Sequence, residues 1–201
     1  ETIRESGVFV VHGIFTLKDS YYTKEKAQTL DSIEKIESTR IGKITGCNSS
    51  DDPVLLVEFG NAECNVYGGV FYNNLLVYNA SFTRGNIISG NFSIVNIYGG
   101  LIAFNKNQIK DALNNVHSGM VSFFEGSALT LRDVIIRDNI GTQYYGVTAN
   151  ALRAHSTQIG AGVQIYNNMD ESGNNQYNFY DTNAKIIEPL DKDGKTTYIG
   201  I

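Results

Sequence analysis

Tryptophan is missing from this chain of 201 residues, and proline occurs only twice. So little proline leaves no room for a proline-rich linker. Charge is scarce as well: Asp, Glu, Lys and Arg make up 18% of the chain, against roughly 25% in ordinary soluble proteins. The net charge of −5 and a pI near 5.2 exclude the basic surface that nucleic-acid binding needs. No apolar run reaches the roughly 18 residues of a membrane helix, so membrane insertion is not expected. The chain opens on Glu1 and not on methionine, and we expect a processed or trimmed product. His12, His117 and His155 are far apart, so each reads as a strand or loop residue and not as a ligand. Cys47 and Cys64 are the only cysteines. Neither lies in a CxxC pair or near a histidine, which argues against metal and nucleophile roles. No cofactor is expected. Gly160-Ala161-Gly162 lacks the Lys-Ser/Thr of a phosphate loop.

Asn, Gly, Ser, Thr and Tyr take the place of the missing charge. Hydrophobic residues at 42% suit a folded chain, which at this length is one large domain or two small ones. The profile favours strands and tight turns. Short apolar segments alternate with Gly and Asn from Val54 to Tyr166. Tyr67-Gly68-Gly69-Val70-Phe71-Tyr72-Asn73-Asn74 returns as Tyr98-Gly99-Gly100-Leu101-Ile102-Ala103-Phe104-Asn105, 31 residues later. Ser127 to Asn139 is a third unit of the same kind. The next Gly-marked points, Ser118-Gly119 and Tyr145-Gly146, follow at uneven intervals, so the repeat is irregular. A β-sandwich also gives short strands at such spacing. The ordered recurrence of Gly-Gly, apolar strand and Asn turn favours a parallel β-helix, in which like residues stack and Asn forms ladders.

Residues 1–53 read as an N-terminal strand and helix cap region. Ser6 to Leu17 is a buried strand or strand pair, with Gly13 at a bend or bulge. Ala27, Leu30, Ile33 and Ile36 recur at three-residue spacing, which predicts one amphipathic helix over 23–38 with Thr23 as its N-cap. Asn48 to Pro53 is a loop signal. Residues 54–184 are assigned to the coils and 185–201 to C-terminal strands that form a subunit contact.

The Gly-Gly-x-Ile and Phe-x-x-Asn units at residues 68–74 and 99–107 resemble the repeats of polymorphic outer-membrane proteins. Similar repeats occur in surface proteins of microbial eukaryotes. The resemblance covers roughly residues 54–170 and implies a right-handed parallel β-helix at a cell surface. The expected fold is therefore all-β: a right-handed parallel β-helix with one N-terminal amphipathic helix.

Candidate site residues follow from this reading. A Cys47–Cys64 disulfide is expected in an oxidising compartment, with two buried free thiols as the alternative. Asn48, Asn79 and Asn91 begin Asn-x-Ser sequons and are expected to carry glycans on some of these positions in a eukaryotic host. Chance alone gives about three sequons at this content of Asn, Ser and Thr. Asp133, Arg137 and Asp138 invite comparison with β-helical polysaccharide lyases. No matching acidic pair stands on the preceding units, so they read as a solvated turn with local ion pairs. Tyr144, Tyr145, Tyr177, Phe179 and Tyr180 suit carbohydrate stacking, a core or a subunit contact. Thr196, Thr197, Tyr198, Ile199, Gly200 and Ile201 form an uncharged terminal strand fit for self-association.

We expect an extracellular, glycosylated structural subunit of a surface appendage or filament, assembling end to end with copies of itself and without enzymatic activity. Glycans are a further expected partner. A carbohydrate-active enzyme or phage-type depolymerase and a monomeric adhesin are the alternatives.

Overall fold

The computed structural model describes residues 9–50, 53–78, 87–109, 120–123, 127–141, 147–149, 156–170, 179–180 and 185–186. Its strands lie in three sheets, and every strand pair is parallel. The chain visits the sheets in the same order on each circuit. The first circuit holds β1 (Phe9–Val11), β2 (Ile14–Leu17), β3 (Lys43–Thr45) and β4 (Asn48–Ser50). The second holds β5 (Leu55–Val66), β6 (Val70–Tyr72) and β7 (Leu75–Tyr78). The third holds β8 (Ile88–Ile97), β9 (Gly100–Ala103) and β10 (Lys106–Ile109). The fourth is β11 (Val121–Phe123), β12 (Ala128–Leu131), β13 (Val134–Arg137) and β14 (Ile140–Gly141). The fifth is β15 (Val147–Ala149), β16 (Ser156–Ile159), β17 (Gln164–Tyr166) and β18 (Met169–Asp170). β19 (Phe179–Tyr180) and β20 (Lys185–Ile186) continue the largest sheet. β1 to β4 are thus the outermost strands of the same three sheets. Gly13 lies at the bend between β1 and β2.

Alternation along each strand sends one residue inward and the next outward. Ile44, Phe71, Ile102, Ile136 and Ile165 stack in register across β3, β6, β9, β13 and β17. Leu17, Val66, Ile97, Leu131 and Ile159 do the same on the largest sheet. The two columns face each other in one core, which also holds Cys64 and Val95. Each buried Leu, Ile or Phe contributes about 1.5–3 kcal/mol.

The corner between the last two strands of each circuit is built on one device. Asn74, Asn105, Asn139 and Asn168 are buried in a column. The side-chain amide N–H of each donates to the Oδ1 of the next, at 2.9, 2.9 and 2.8 Å. Each Oδ1 also accepts the preceding corner's backbone N–H, and the column begins at the Cys47 N–H, 3.1 Å from Asn74 Oδ1. Spare amide protons reach the backbone oxygens of Ile44, Phe71, Ala103, Ile102 and Ile136. The residue before each column member takes a left-handed backbone: Gly46, Asn73, Phe104, Asp138 and Asn167, with φ between 52° and 73°. That conformation is uncommon for Asp and Asn and an outlier for Phe. Tight hydrogen bonding around each Asn holds the strain in place.

At the opposite corner of sheet β3–β6–β9–β13–β17, Tyr67, Tyr98, Arg132 and Gly160 occupy equivalent positions. Their N–H groups bond the backbone oxygens of Leu17, Val66, Ile97 and Leu131. The third and fourth such corners therefore lie at Arg132 and Gly160. Ser118-Gly119 and Tyr145-Gly146 lie outside the described residues. The reason the sequence misleads is that the loops between circuits vary in length, so glycine spacing does not track the corners.

The single helix expected over 23–38 is two: α1 (Lys24–Thr29) and α2 (Ile33–Glu37). Thr23 caps α1, its hydroxyl accepting the Lys26 N–H at 3.3 Å, and Ser32 caps α2 through the Lys35 N–H. The break has a geometric cause. Residues three apart drift by roughly 60° around an α-helix, so one continuous helix would scatter Ala27, Leu30, Ile33 and Ile36. Breaking at Asp31 returns all four to one face. That face covers Val70, Tyr72, Leu101, Ala103 and Ile135 on the outer side of β6, β9 and β13. The helices lie along the side of the circuits. No helix among the described residues is long and apolar enough to cross a membrane.

Candidate functional site at the first circuit

The first circuit differs from the others at one corner. Where Tyr67-Gly68-Gly69 and Tyr98-Gly99-Gly100 turn tightly, the first circuit leaves at Leu17, makes the helical excursion and returns at Gly42. Asp19 closes the gap. Its carboxylate accepts the Gly42 N–H at 2.6 Å and the Tyr21 N–H at 2.8 Å. Tyr22 then lies against the next two corners. A Cβ on Gly68 would come within 2.9 Å of the Tyr22 side chain, and one on Gly99 within 3.2 Å of its ring. The Tyr-Gly-Gly repeat thus has two reasons. Gly68 and Gly99 leave room for Tyr22, while Gly69 and Gly100 adopt φ of 95° and 123°. Burial pushes the Tyr22 hydroxyl up to about 12.

The interrupted corner opens a cleft of about 410 Å³. Its apolar wall is Leu17, Ile44, Val70 and Phe71, and Lys18, Asp19, Ser20, Tyr21, Arg40 and Lys43 also line it. Lys43 Nζ donates to the Thr39 carbonyl at 2.6 Å. Lys18 Nζ stands 5.4 Å from the Tyr67 ring centre, and Tyr67 in turn packs on Tyr98 at 5.3 Å. Leu17, Ile44, Phe15 and Cys47 belong to the core columns but are only partly buried, because this circuit has a neighbour on one side among the described residues.

The cysteines are not joined: both are free, which corrects the expected Cys47–Cys64 disulfide. One lies in a sheet and the other at a corner. Cys64 lies inside the largest sheet between Phe15 and Val95 in register, whereas Cys47 heads the Asn column at a corner. Burial pushes the Cys64 thiol up to about 12 and raises that of Cys47. Loop length alone could not reveal that one side chain starts from the middle of a sheet and the other from a corner.

Arg137 also differs from the solvated turn expected for it. It is 3% exposed, beneath α1. It bonds Asp138 and the Leu30 carbonyl, with its guanidinium 5.5 Å from the Phe104 ring centre. Its place at the outward end of β13 lets the helices cover it, which strand periodicity alone does not reveal. Asp133 turns instead to Lys24, at 3.4 Å. The two carboxylates therefore serve separate cations and do not converge. Among the described residues no group of three or more His, Cys, Asp or Glu is placed to hold a metal.

Asn48 is exposed on β4, although a loop was expected from this residue onward, and Asn91 is half-buried on β8 where it pairs with Glu58 at the irregularity of β5. Asn79, Tyr144, Tyr145, Tyr177 and Thr196–Ile201 lie outside the described residues, as do His117 and His155. The cleft residues Lys18, Asp19, Tyr21, Arg40 and Lys43 were not singled out by motif. They meet only because the excursion returns to its point of departure, 25 residues after Leu17. Comparison of the chain with protein-family models, with curated proteins and with solved structures gives no match.

Proposed function

We propose that the three sheets are the walls of a right-handed parallel β-helix, and that the protein is an extracellular structural subunit stacking end to end with its own copies. The observation carrying this is the first-circuit edge. β3 and β4 end their sheets, and β1 and β2 pair only with β5 among the described residues. Gly42, Gly46 and Cys47 turn backbone groups toward the second circuit. By alternation Lys43 and Thr45 turn theirs away, toward an added strand. The half-buried Phe15, Leu17, Ile44 and Cys47 complete an apolar seat. A parallel sheet accepts one more strand without rearrangement, and a head-to-tail contact of this kind grows into a filament unless its rotation closes a ring. Thr196–Ile201 is our choice for the incoming strand, from its apolar, uncharged sequence. The Gly-Gly and Asn repeats similar to those of surface proteins support the extracellular placement, and glycans on Asn48, Asn79 or Asn91 belong to the same proposal.

Sedimentation velocity and electron microscopy of the full chain test it. Filaments are expected at high concentration. Thr45→Pro, which removes an outward N–H, and deletion of 196–201 should each leave a folded monomer. A full-length chain that stays monomeric, or a deletion that still polymerises, defeats the proposal.

A further inference from the structure

We infer that the cleft at the interrupted corner binds an acidic saccharide, a sugar carrying carboxylate or sulfate. The chain has a net charge of −5, yet Lys18, Arg40 and Lys43 line one cleft together. Elsewhere Lys24, Lys35 and Arg137 each meet a carboxylate. Among the described residues the three cleft cations form no ion pair. The carboxylate within reach, Asp19, is engaged by the N–H groups of Tyr21 and Gly42. It shapes the loop and offsets one of the three positive charges, so the lining keeps a net positive charge. Three cations and one carboxylate around a single cleft leave it attractive to an anion.

The rest of the lining selects for a ring and not a bare ion. The volume falls within the range of small-molecule sites, roughly 300–1,000 Å³. Leu17, Ile44, Val70 and Phe71 give an apolar wall, and Ser20 adds a hydroxyl. Tyr21 is 51% exposed at the rim, leaving its ring available to the C–H face of a sugar. Lys43 is pre-oriented by the Thr39 carbonyl and keeps two N–H groups to donate. Arg40 offers a planar fork for a carboxylate or sulfate. This inference concerns a ligand and goes beyond the stacking proposal, although both use Leu17, Lys43 and Ile44.

The test is calorimetric titration of the full chain, at a concentration where it is monomeric, with three probes: a uronate tetrasaccharide, a neutral hexose tetrasaccharide and inorganic sulfate. The uronate should bind at least tenfold tighter than either of the others, and its affinity should fall as salt rises. Arg40→Ala with Lys43→Ala should weaken it tenfold or more, and Tyr21→Ala should weaken it severalfold. Lys35→Ala, on the exposed face of α2, should leave it unchanged, and circular dichroism should show every variant folded. Equal binding of the neutral sugar, sulfate binding as tightly as the uronate, no uronate binding, or no effect of the double variant overturns the inference.

Discussion

Asn105 shows how much a single side chain can hold. Its Oδ1 accepts from the backbone and side chain of Asn74, and its amide donates to Asn139, Phe71 and Ala103. Truncation leaves several buried polar groups without partners, each costing roughly 1–3 kcal/mol. We expect Asn105→Ala to destabilise the chain by about 3 kcal/mol or more, read from the urea midpoint. Cys64 makes a different prediction. Its thiol has an ordinary value of 9.0 and is pushed up to about 12 by burial. The unfolded chain therefore loses this proton at lower pH than the folded chain does. Stability from this group is complete below pH 9 and is lost as pH rises toward 12. Tyr22, moving from 10.0 to about 12 by burial, adds to the loss in the same direction. Urea midpoints should fall between pH 8 and 11. The fall should be smaller in Cys64→Ala, and an equal fall in that variant would assign the effect elsewhere.

At the scale of elements, the two short helices depend on what they cover. Six and five residues are too few to form helix in isolation. Their caps help, and Lys35 bonds Asp31 at 2.8 Å on an exposed face, where such a pair contributes little. Anchoring comes from Ala27, Leu30 and Ile36 on the outer side of β6, β9 and β13, from Tyr22 against Gly68 and Gly99, and from the Arg137 bond to the Leu30 carbonyl. A charge in place of Leu30 removes about 2 kcal/mol of burial and adds a buried carboxylate. Leu30→Asp should therefore release the excursion while the sheets persist. Limited proteolysis should cut within 18–42 on the order of tenfold faster than in the natural chain. Far-ultraviolet circular dichroism should still show strand. Loss of the strand signal would mean that the helices are integral to the sheets.

For the whole molecule, the consequence of parallel stacking is that each circuit is stabilised by its neighbours, apart from the helices laid across the second to fourth circuits. The middle circuits have two neighbours. The first has one among the described residues, apart from its helical excursion. Hydrogen exchange should accordingly be slowest in β6, β9 and β13, which are covered on both faces, and fastest in β3 and β4. If copies stack as proposed, exchange in β3 and β4 should slow with rising protein concentration while β9 stays unchanged. Uniform exchange across β3, β6 and β9 would contradict a circuit-by-circuit distribution of stability.

Some of this was determined by sequence alone. Strand-rich architecture follows from β-branched runs punctuated by Gly and Asn, since local backbone preference decides both. Asn74 and Asn105 stood out as turn residues, and Thr23 as a cap, because a turn or cap is chosen by the residue that occupies it. Other features belong to tertiary structure. The break at Asp31, the burial of Arg137 and the separation of Cys47 from Cys64 depend on which surface each segment meets. The cleft is the clearest case: Lys18 and Lys43 are neighbours only because Asp19 bonds Gly42 after the helices have run out and back. Short-range pattern records the preferences of single turns and strands. It does not record which distant segments close upon one another, because that is settled by the burial and hydrogen bonds gained when the circuits stack.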